Sequence, residues 1–512
     1  MENKNFLDLY NHEAVENDYV LTTNGAVAYG HAHQAIVDFV FNLSKMRNAT
    51  PEYVEGLFSK IFYQEGEEIA CKFLMWVADC RCGAGERKTS RNILHWLCKN
   101  RPQLVSKIYT LIPEYNRWDT LILLADPQFN HNEELRQEVV HTIKINLASD
   151  LNSYARQISL LGKWMPSENA SSVETRRMAK QLIKDLGISP KAYRKNLSEL
   201  RRKLRVVERD MSAGNWSEIN YSAVPSKANL IYSNAFLRND EERRRAFLGE
   251  VAVGKAVLHG GVLAPYEIVN KYGGSDSFWG GLTLEYDESL ELLWKSLPVY
   301  QMSNTLVVRD GSGSMLTGIG CGKATALDVA TSLAIYCSEH NSSTWADKFI
   351  TFSSRPQVVD LSNCANLKEK IELCRTHDEC ENTDIYRTMK LILDTAVKNH
   401  LSQEEMPQTI LIISDMQFDG KQFNYNDTLF NNIKREFESF GYKLPRMVFW
   451  NVDMWYNDAI PMLENDMGLT LCSGFSTHIF RMVIESGITP YEQIISLLSG
   501  ERYKEVEEAL RQ

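Results

Sequence analysis

Residues Thr305–Met315 read TLVVRDGSGSM, and this segment decides the fold of the C-terminal half. Its first residues are apolar and β-favouring, and the run ends at Asp310. Hydroxyls follow at Ser312 and Ser314, and a helical pattern begins at Ala324. A strand, a tight polar turn and a helix in this order place a binding loop at the carboxyl end of a strand in an open α/β sheet.

The spacing D-x-S-x-S predicts a site for a hard cation. One carboxylate and two hydroxyls at alternate positions can turn three oxygens toward one point. Oxygen ligands of low charge suit Mg²⁺, with Mn²⁺ or Ca²⁺ as alternatives, and they do not suit zinc or copper. The plainer interpretation is an ordinary Ser/Gly turn after a strand, and the pattern of the following residues argues against it.

Strand-like and helical segments alternate around and after this turn. The strand-like segments are Lys348–Ser353, Gln357–Leu361, Thr409–Ile413, Arg446–Val452 and Leu469–Gly474, and the helical ones are Ala324–Glu339, Ile385–His400, Asp427–Gly441 and Phe475–Ile484. This alternation indicates a doubly wound parallel sheet with both faces covered. A second strand ends at Ser414-Asp415, and a loop that bears Thr383 lies between the two strands.

These features resemble a von Willebrand factor A domain with a metal-ion-dependent adhesion site. In that family the metal ligands are the Asp and both Ser of D-x-S-x-S, a Thr from a later loop, and an Asp after the fourth strand. The resemblance therefore implies the ligand set Asp310, Ser312, Ser314, Thr383 and Asp415. The family usually has Gly-Gly-Thr where this chain has Glu381-Asn382-Thr383.

Length and composition are typical of a soluble multidomain protein. The chain has 512 residues, of which 44% are hydrophobic and 24% are charged, which allows two or more domains. No apolar run approaches the ~20 residues of a membrane span, and the polar N-terminus lacks a signal-peptide core. We therefore expect no membrane association and a cytoplasmic location. The ten cysteines are scattered, which favours free thiols, and neither Cys80/Cys82 nor Cys374/Cys380 is followed by a second pair at zinc-ligand spacing.

Residues before about Leu282 show amphipathic helical patterns and no strand-like alternation. Helical runs of about 8–16 residues follow one another from Ala35, and polar or turn residues separate them. This pattern is typical of stacked helix pairs in an α-helical solenoid. We predict a helical repeat domain over residues 1–295 that begins with an extended lead-in, an A domain over residues 300–490, and a C-terminal helix over residues 491–512.

The segment Arg176–Arg205 carries eleven Lys and Arg against two acidic residues, a local excess of +9. The net charge of −10 lies in residues 301–512, because residues 1–300 hold equal numbers of acidic and basic side chains. Clustered cations release counterions when they meet phosphates, so the segment predicts a nucleic-acid footprint. The alternative is a solvated face that pairs with the acidic C-terminal half. The candidate RNA contacts are Arg176, Arg177, Lys191, Arg194, Lys195, Arg201, Arg202, Lys203 and Arg205.

Several long motifs ahead of the DGSGS turn carry a second resemblance. LTTNGAVAYG, VADCRCGAGERK, LIPEYNRWDTLI, YRKNLSELRRKL and WSEINYSAVPSKA are similar to those of the uncharacterised DUF2828 family. The order of the pieces also resembles the Ro autoantigen (TROVE) proteins. In those proteins a ring of helical repeats carries an A domain and binds non-coding RNA. In such a layout the C-terminal helix returns to the helical region.

The leading hypothesis is a non-enzymatic, Ro-like scaffold that binds non-coding or structured RNA through its helical domain. Its metal site would bind an acidic residue of a protein partner. The alternative is a metal-dependent protein–protein adaptor with no nucleic-acid role. We expect a monomer. An enzyme is disfavoured because no G-x-x-x-x-G-K-[ST], G-x-S-x-G or H-E-x-x-H motif occurs in the chain.

Overall fold

The computed structural model describes residues 19–154, 157–273, 284–320, 323–352, 355–378, 384–419, 428–454, 459–463, 467–484 and 489–511. The chain forms two compact units. One unit is built around a β-sheet and comprises residues 1–50 and 263–497, and the other is helical and comprises residues 51–262 and 498–512. Among the described residues, no helix combines the length and the apolar character that crossing a bilayer requires.

The described elements follow the predicted order of a helical region and then alternating strands and helices. The helices are α1 (Ala35–Phe41), α2 (Pro51–Ala78), α3 (Arg87–Asn100), α4 (Pro102–Ile108), α5 (Ile112–Tyr115), α6 (Trp118–Leu123), α7 (Glu133–Asn152), α8 (Leu161–Trp164), α9 (Val173–Leu186), α10 (Pro190–Lys203), α11 (Val207–Ser212), α12 (Ser226–Asn239), α13 (Glu241–Ala252), α14 (Pro265–Lys271), α15 (Glu288–Lys295), α16 (Ala326–Glu339), α17 (Leu367–Arg375), α18 (Ile385–Lys398), α19 (Leu429–Ser439), α20 (Phe480–Ile484), α21 (Pro490–Leu498) and α22 (Lys504–Arg511). The strands are β1 (Tyr19–Leu21), β2 (Val27–Tyr29), β3 (Thr305–Asp310), β4 (Lys348–Phe352), β5 (Val358–Asp360), β6 (Thr409–Ser414), β7 (Arg446–Asn451) and β8 (Leu469–Ser473).

The six-stranded sheet has the order β5-β4-β3-β6-β7-β8. Its pairs are parallel except for the edge pair β4–β5, which is antiparallel. The prediction of a parallel sheet is therefore wrong at β5. The link from Phe352 to Val358 is too short for the crossover that a parallel pair needs. All residues of β3 and β7 are buried, as expected for strands covered on both faces.

The strand order reverses between β3 and β6, and this point positions the candidate site. From β3 the chain adds β4 and β5 on one side, and then returns to the other side of β3 with β6. The two strands are in parallel register, with Arg309 opposite Ile413. Asp310 and Ser414, the last residues of β3 and β6, therefore lie side by side at the same edge of the sheet. In open α/β sheets, ligands bind in the crevice at such a switch point.

The described residues from Tyr19 to Thr50 belong to the sheet unit, whereas the sequence predicts a helical domain over residues 1–295. β1 and β2 form an antiparallel hairpin within the segment predicted as an extended lead-in. Ser44, after α1, donates its backbone N–H to Ser473 Oγ of β8 at 3.0 Å. Asn451 Nδ2 of β7 donates to the Phe41 carbonyl at 3.1 Å. These contacts fix the N-terminal segment to the sheet.

The C-terminal segment packs against the helices of the helical unit. Arg502 Nε donates to the buried Asp79 carboxylate at 2.8 Å. The rings of Tyr503 and Tyr115 stack with centroids 5.6 Å apart. A buried polar contact together with an aromatic stack holds this segment against the loop after α2 and against α5. The described residues establish a helical unit, and its predicted solenoid or ring form stays a prediction.

Candidate metal centre at the edge of the sheet

Asp310 is the last residue of β3, and its side chain is fully buried. Asp310 Oδ1 accepts a hydrogen bond from the Ser312 backbone N–H at 2.9 Å. This bond closes the turn, because the carboxylate reaches its own chain two residues on. The hydroxyls of Ser312 and Ser314 lie 3.0 Å apart. The motif therefore brings one carboxylate and two hydroxyls to one point, as the spacing predicts.

β6 brings a second carboxylate to the same end of the sheet. Ser414 Oγ donates to Asp310 Oδ2 at 2.6 Å, and this bond joins the two strand ends directly. Asp415 comes next and is buried, and its Oδ1 accepts from the Gln417 backbone N–H at 3.1 Å. Met416 lies in the left-handed region at φ 61°. A non-glycine residue is rarely found there, and such strain is concentrated at functional sites.

Within the described part of the chain, one carboxylate oxygen of this cluster lacks a hydrogen-bond donor. Asp415 Oδ2 is buried and has no hydrogen-bond partner among the described residues. A buried carboxylate oxygen without a donor costs free energy in proportion to its lost hydration. A cation would satisfy this oxygen, and the neighbouring donors suit a hard divalent ion.

The two carboxylates interact electrostatically. Burial, and then the nearby charge of Asp415, raise the pKa of Asp310 to about 7. Burial also raises the pKa of Asp415, and the Ser314 hydroxyl opposes the rise. Two buried like charges favour protonation of one of them, whereas a bound cation would favour ionisation of both.

A buried ion pair holds the segment that leads toward Thr383. Arg309 precedes Asp310 on β3, is fully buried and pairs with Asp378. A Cβ on Gly311 would lie 3.7 Å from the His377 carbonyl oxygen and 3.7 Å from Asp378 Oδ1. The residues just before the Thr383 loop therefore contact the D-x-S-x-S turn.

The predicted fifth ligand, Thr383, lies outside the described residues. The described chain resumes at Asp384, which caps α18 by accepting from the Arg387 backbone N–H at 3.1 Å. Within the described ranges, no group of three or more His, Cys, Asp or Glu side chains could hold a metal. The cluster at β3 and β6 is of a different type, since it combines two carboxylates with hydroxyls.

The β1–β2 hairpin borders the site, and the sequence analysis missed this. Thr22 Oγ1 donates to the Phe418 carbonyl at 2.7 Å, and Asn24 Nδ2 donates to the Gln417 carbonyl at 2.7 Å. The hairpin tip therefore holds the loop that follows Asp415. Asn24-Gly25 between two β-favouring runs is a hairpin signal that could have located it.

Four of the predicted RNA contacts are engaged in the fold of the helical unit. Arg176 Nη1 donates to the Ala170 and Ser171 carbonyls, at 2.7 Å each. Arg177 forms an ion pair with the buried Asp126. Lys203 Nζ caps the end of α7 by donating to the carbonyls of Asp150, Leu151 and Ser153 at 2.6–3.1 Å.

Arg201 is the fourth. Its guanidinium donates to the carbonyls of Gly162 and Met165 and to Ser167 Oγ, at 2.9–3.1 Å. These partners are neutral, and burial lowers the pKa of Arg201.

The other five predicted contacts are exposed on α10 or just after it. Arg194 pairs with Glu168 at 2.6 Å, and Arg202 pairs with Glu199 at 2.6 Å. Lys191, Lys195 and Arg205 form no ion pair with a described residue. The structure therefore divides the nine predicted residues into structural cations, paired surface cations and three open ones.

Comparison with known proteins finds similarity to two domains of unknown function and to an uncharacterised viral protein. Residues 304–511 match the model of a domain of unknown function, DUF7788. The chain is 26% identical over 504 residues to "Uncharacterized protein L728" of Acanthamoeba polyphaga mimivirus, covering 91% of this chain and 84% of that protein. Residues 132–304 match the model of the domain of unknown function DUF2828, and this match confirms the predicted DUF2828 relationship over that part of the chain.

Proposed function

We propose that this chain is a non-enzymatic scaffold whose sheet unit is a von Willebrand factor A domain with a metal-ion-dependent adhesion site. The observation that carries the proposal is the buried Oδ2 of Asp415, which has no hydrogen-bond partner among the residues the structure describes and lies in one cluster with Asp310, Ser312 and Ser314. Asp310, Ser312, Ser314 and Asp415 would hold the cation, with Thr383 added by the family resemblance. Mg²⁺ is the favoured ion, with Mn²⁺ or Ca²⁺ as alternatives.

The chemistry of this donor set fits adhesion better than hydrolysis. A divalent cation held by few charged ligands supplies an open, electrophilic coordination position that a carboxylate from a protein partner can fill. The protein residues hold that position at the edge of a rigid sheet. A nuclease with paired metals would need more carboxylates than the two that meet here.

Calorimetric titration of EDTA-treated protein with Mg²⁺, Mn²⁺ and Ca²⁺ tests the proposal. We expect saturable binding to the wild type, and loss of binding in Asp310→Asn and in Ser312→Ala/Ser314→Ala. Asp394→Asn is the control, because it neutralises an exposed carboxylate on α18. Equal titrations for wild type and site variants, or no heat from any of them, would reject the metal site.

RNA binding by the helical unit is the second proposed function, as in the Ro-like interpretation. Lys191, Lys195 and Arg205 support it, since they are exposed and lack ion-pair partners in the described chain. Lys180 and Lys184 on α9 are exposed as well. Cations without protein partners can neutralise phosphates without first breaking an ion pair.

A salt-dependent gel-shift assay with structured RNA tests this second function. We expect Lys191→Glu/Lys195→Glu/Arg205→Glu to weaken binding and to flatten its salt dependence. The matched control is Lys60→Glu/Lys144→Glu/Lys255→Glu, which makes the same change in net charge at exposed positions of the same unit. If both triple variants bind as the wild type does, or no variant binds RNA, the adaptor alternative without a nucleic-acid role is favoured.

A further inference from the structure

The helical unit contains a cavity of about 570 Å³ that the functions proposed above do not use. Its wall includes Trp164 at the end of α8, Leu197 on α10 and Val206 after α10. Pockets that bind small molecules usually have volumes of about 300–1,000 Å³ and combine an apolar lining with a few polar groups. The cavity is therefore large enough for one nucleotide.

Trp164 gives the cavity an aromatic wall. Its indole is half-buried, and the Arg117 guanidinium lies 3.9 Å from the ring centroid. The cation–π contact with Arg117 orients the ring, and Trp164 is part of the cavity wall. A fixed indole beside an opening is a stacking platform for a planar ring, and stacking on aromatic side chains is how proteins hold unpaired bases.

Two cations in the wall have no carboxylate partner among the described residues. Arg201 donates only to two carbonyls and one hydroxyl, as described above. Lys163 lies with its ammonium 5.5 Å from the Trp164 ring centroid and forms no ion pair in the described chain. An uncompensated positive charge beside an apolar wall favours an anionic ligand.

The acidic residues of the wall do not cancel this charge. Glu168 is engaged by Arg194 at 2.6 Å, and the Tyr232 hydroxyl donates to Glu208 at 3.4 Å. The wall carries four cations (Lys163, Arg194, Arg201 and Arg209) against these two carboxylates, so its formal charge stays positive. The wall as a whole offers one aromatic ring, the apolar side chains of Leu197 and Val206, and an excess of cations, of which Lys163 lies close to the ring.

We propose that this cavity binds a nucleotide, with its base stacked on Trp164 and its phosphate near Lys163 and Arg201. The inference rests on the proposed RNA role for the source of that nucleotide, which would be an unpaired base of an RNA strand. A free mononucleotide has the same chemistry, and the experiment separates the two sources.

The experiment uses the full-length protein and five probes: UMP, AMP, uridine, ribose 5-phosphate and a twelve-residue oligouridylate. Affinities are measured for the wild type, Trp164→Ala, Trp164→Phe and Lys163→Met. We expect UMP or AMP to bind more tightly than either uridine or ribose 5-phosphate. Since base stacking on an aromatic ring contributes about 1–3 kcal/mol per base, Trp164→Ala should weaken nucleotide binding by at least about fivefold. Trp164→Phe, which keeps a ring, should lose less.

Trp216→Ala is the matched control, because Trp216 lies in the same unit and outside the cavity wall. Photocrosslinking with 4-thio-UMP, followed by peptide mass spectrometry, gives a readout that does not depend on the folding of a variant. We expect the crosslink on the peptide that contains Trp164.

The outcomes separate this inference from the RNA proposal. Mononucleotide binding that Trp164→Ala weakens, without any gel shift of RNA, would support the cavity and reject the RNA role. A gel shift that Lys191→Glu/Lys195→Glu/Arg205→Glu abolishes, with no saturable nucleotide binding and no effect of Trp164→Ala, would overturn the inference and leave the RNA role standing. A crosslink elsewhere in the chain would also overturn it.

Discussion

The edge of the sheet and the basic segment Arg176–Arg205 were both predicted as functional from local sequence, and their side chains are used differently. At the sheet edge, the four described ligand candidates lie at two adjoining strand ends, linked by the bond from Ser414 to Asp310. In the basic segment, Arg176, Arg177, Arg201 and Lys203 instead bind carbonyls, a hydroxyl and carboxylates of their own unit.

This difference shows that a motif at a strand end specifies the positions of its side-chain atoms, whereas a count of charges does not. Spacing at a strand end is tied to backbone geometry, so D-x-S-x-S determines where its oxygens point. A count of cations gives only a sum of charges. The tertiary fold determines which group each long side chain contacts. Lys and Arg readily cap helix C-termini or pair with buried acidic residues. The predictions below test that distinction.

The largest change in the free energy of unfolding is expected for a substitution at the sheet edge. If Mg²⁺ binds here, it should raise the unfolding free energy of the wild type by about 2.7 kcal/mol at 100 times the Kd, and Asp310→Asn should abolish this gain. Without the cation, we expect this near-isosteric variant to be at least as stable as the wild type, because one of two buried like charges is gone. Urea denaturation with and without Mg²⁺ measures both quantities.

The control for this prediction is again Asp394→Asn, which should keep the full response to Mg²⁺. A variant at Asp310 that still gains stability from Mg²⁺ would mean that the ion binds elsewhere. The D-x-S-x-S motif would then not have predicted the position of the metal site.

The second effect concerns a cation that the charge count assigned to RNA. Arg177→Ala leaves the Asp126 carboxylate, which is 5% exposed, without its ion-pair partner. Leaving a buried charged group unpaired costs about 1–3 kcal/mol or more. We expect a loss of about 2 kcal/mol in urea denaturation. Lys180→Ala, an exposed position one turn later on α9, should change stability little.

Much of the sheet unit could be predicted from the sequence, because its signals are local. The apolar runs that became β3, β6, β7 and β8 are bounded by turns, and each ends within a residue or two of its predicted end. Asp310 and Asp415 follow from strand ends alone. The antiparallel direction of β5 follows from the link before it, which is too short for a parallel crossover, and not from the residue pattern of the strand itself.

The remaining contacts could not be predicted from the sequence. Their partners are either far away in the chain or are backbone carbonyls, which do not depend on residue type. Thr22 binds the carbonyl of Phe418, which lies 396 residues away. Arg177 finds Asp126 across 51 residues. Lys203 binds backbone carbonyls, which every residue possesses. No pattern of residue types within one segment reports such contacts.

A smaller loss of stability is expected when Lys203 is substituted. Lys203→Met keeps most of the side-chain volume and removes the charge that caps the last carbonyls of α7. A cation at a helix C-terminus contributes about 0.3–1 kcal/mol, and more when partly buried. We expect a loss of about 1 kcal/mol in thermal or urea unfolding. Lys184→Met, exposed on α9, is the control and should lose much less.

The smallest effect on stability is expected at Lys195, and it completes the comparison. Lys195 is exposed on α10 and has no ion-pair partner in the described chain. Lys195→Glu should therefore change the free energy of unfolding by less than about 0.5 kcal/mol. If the open cations contact phosphates, the same variant should lower the salt slope of RNA binding by about 0.7 for a single strand. Arg177→Ala and Lys195→Glu would then show opposite behaviour in two assays, stability and salt-dependent binding. Equal RNA binding by Lys195→Glu and wild type would leave the open cations without a nucleic-acid role.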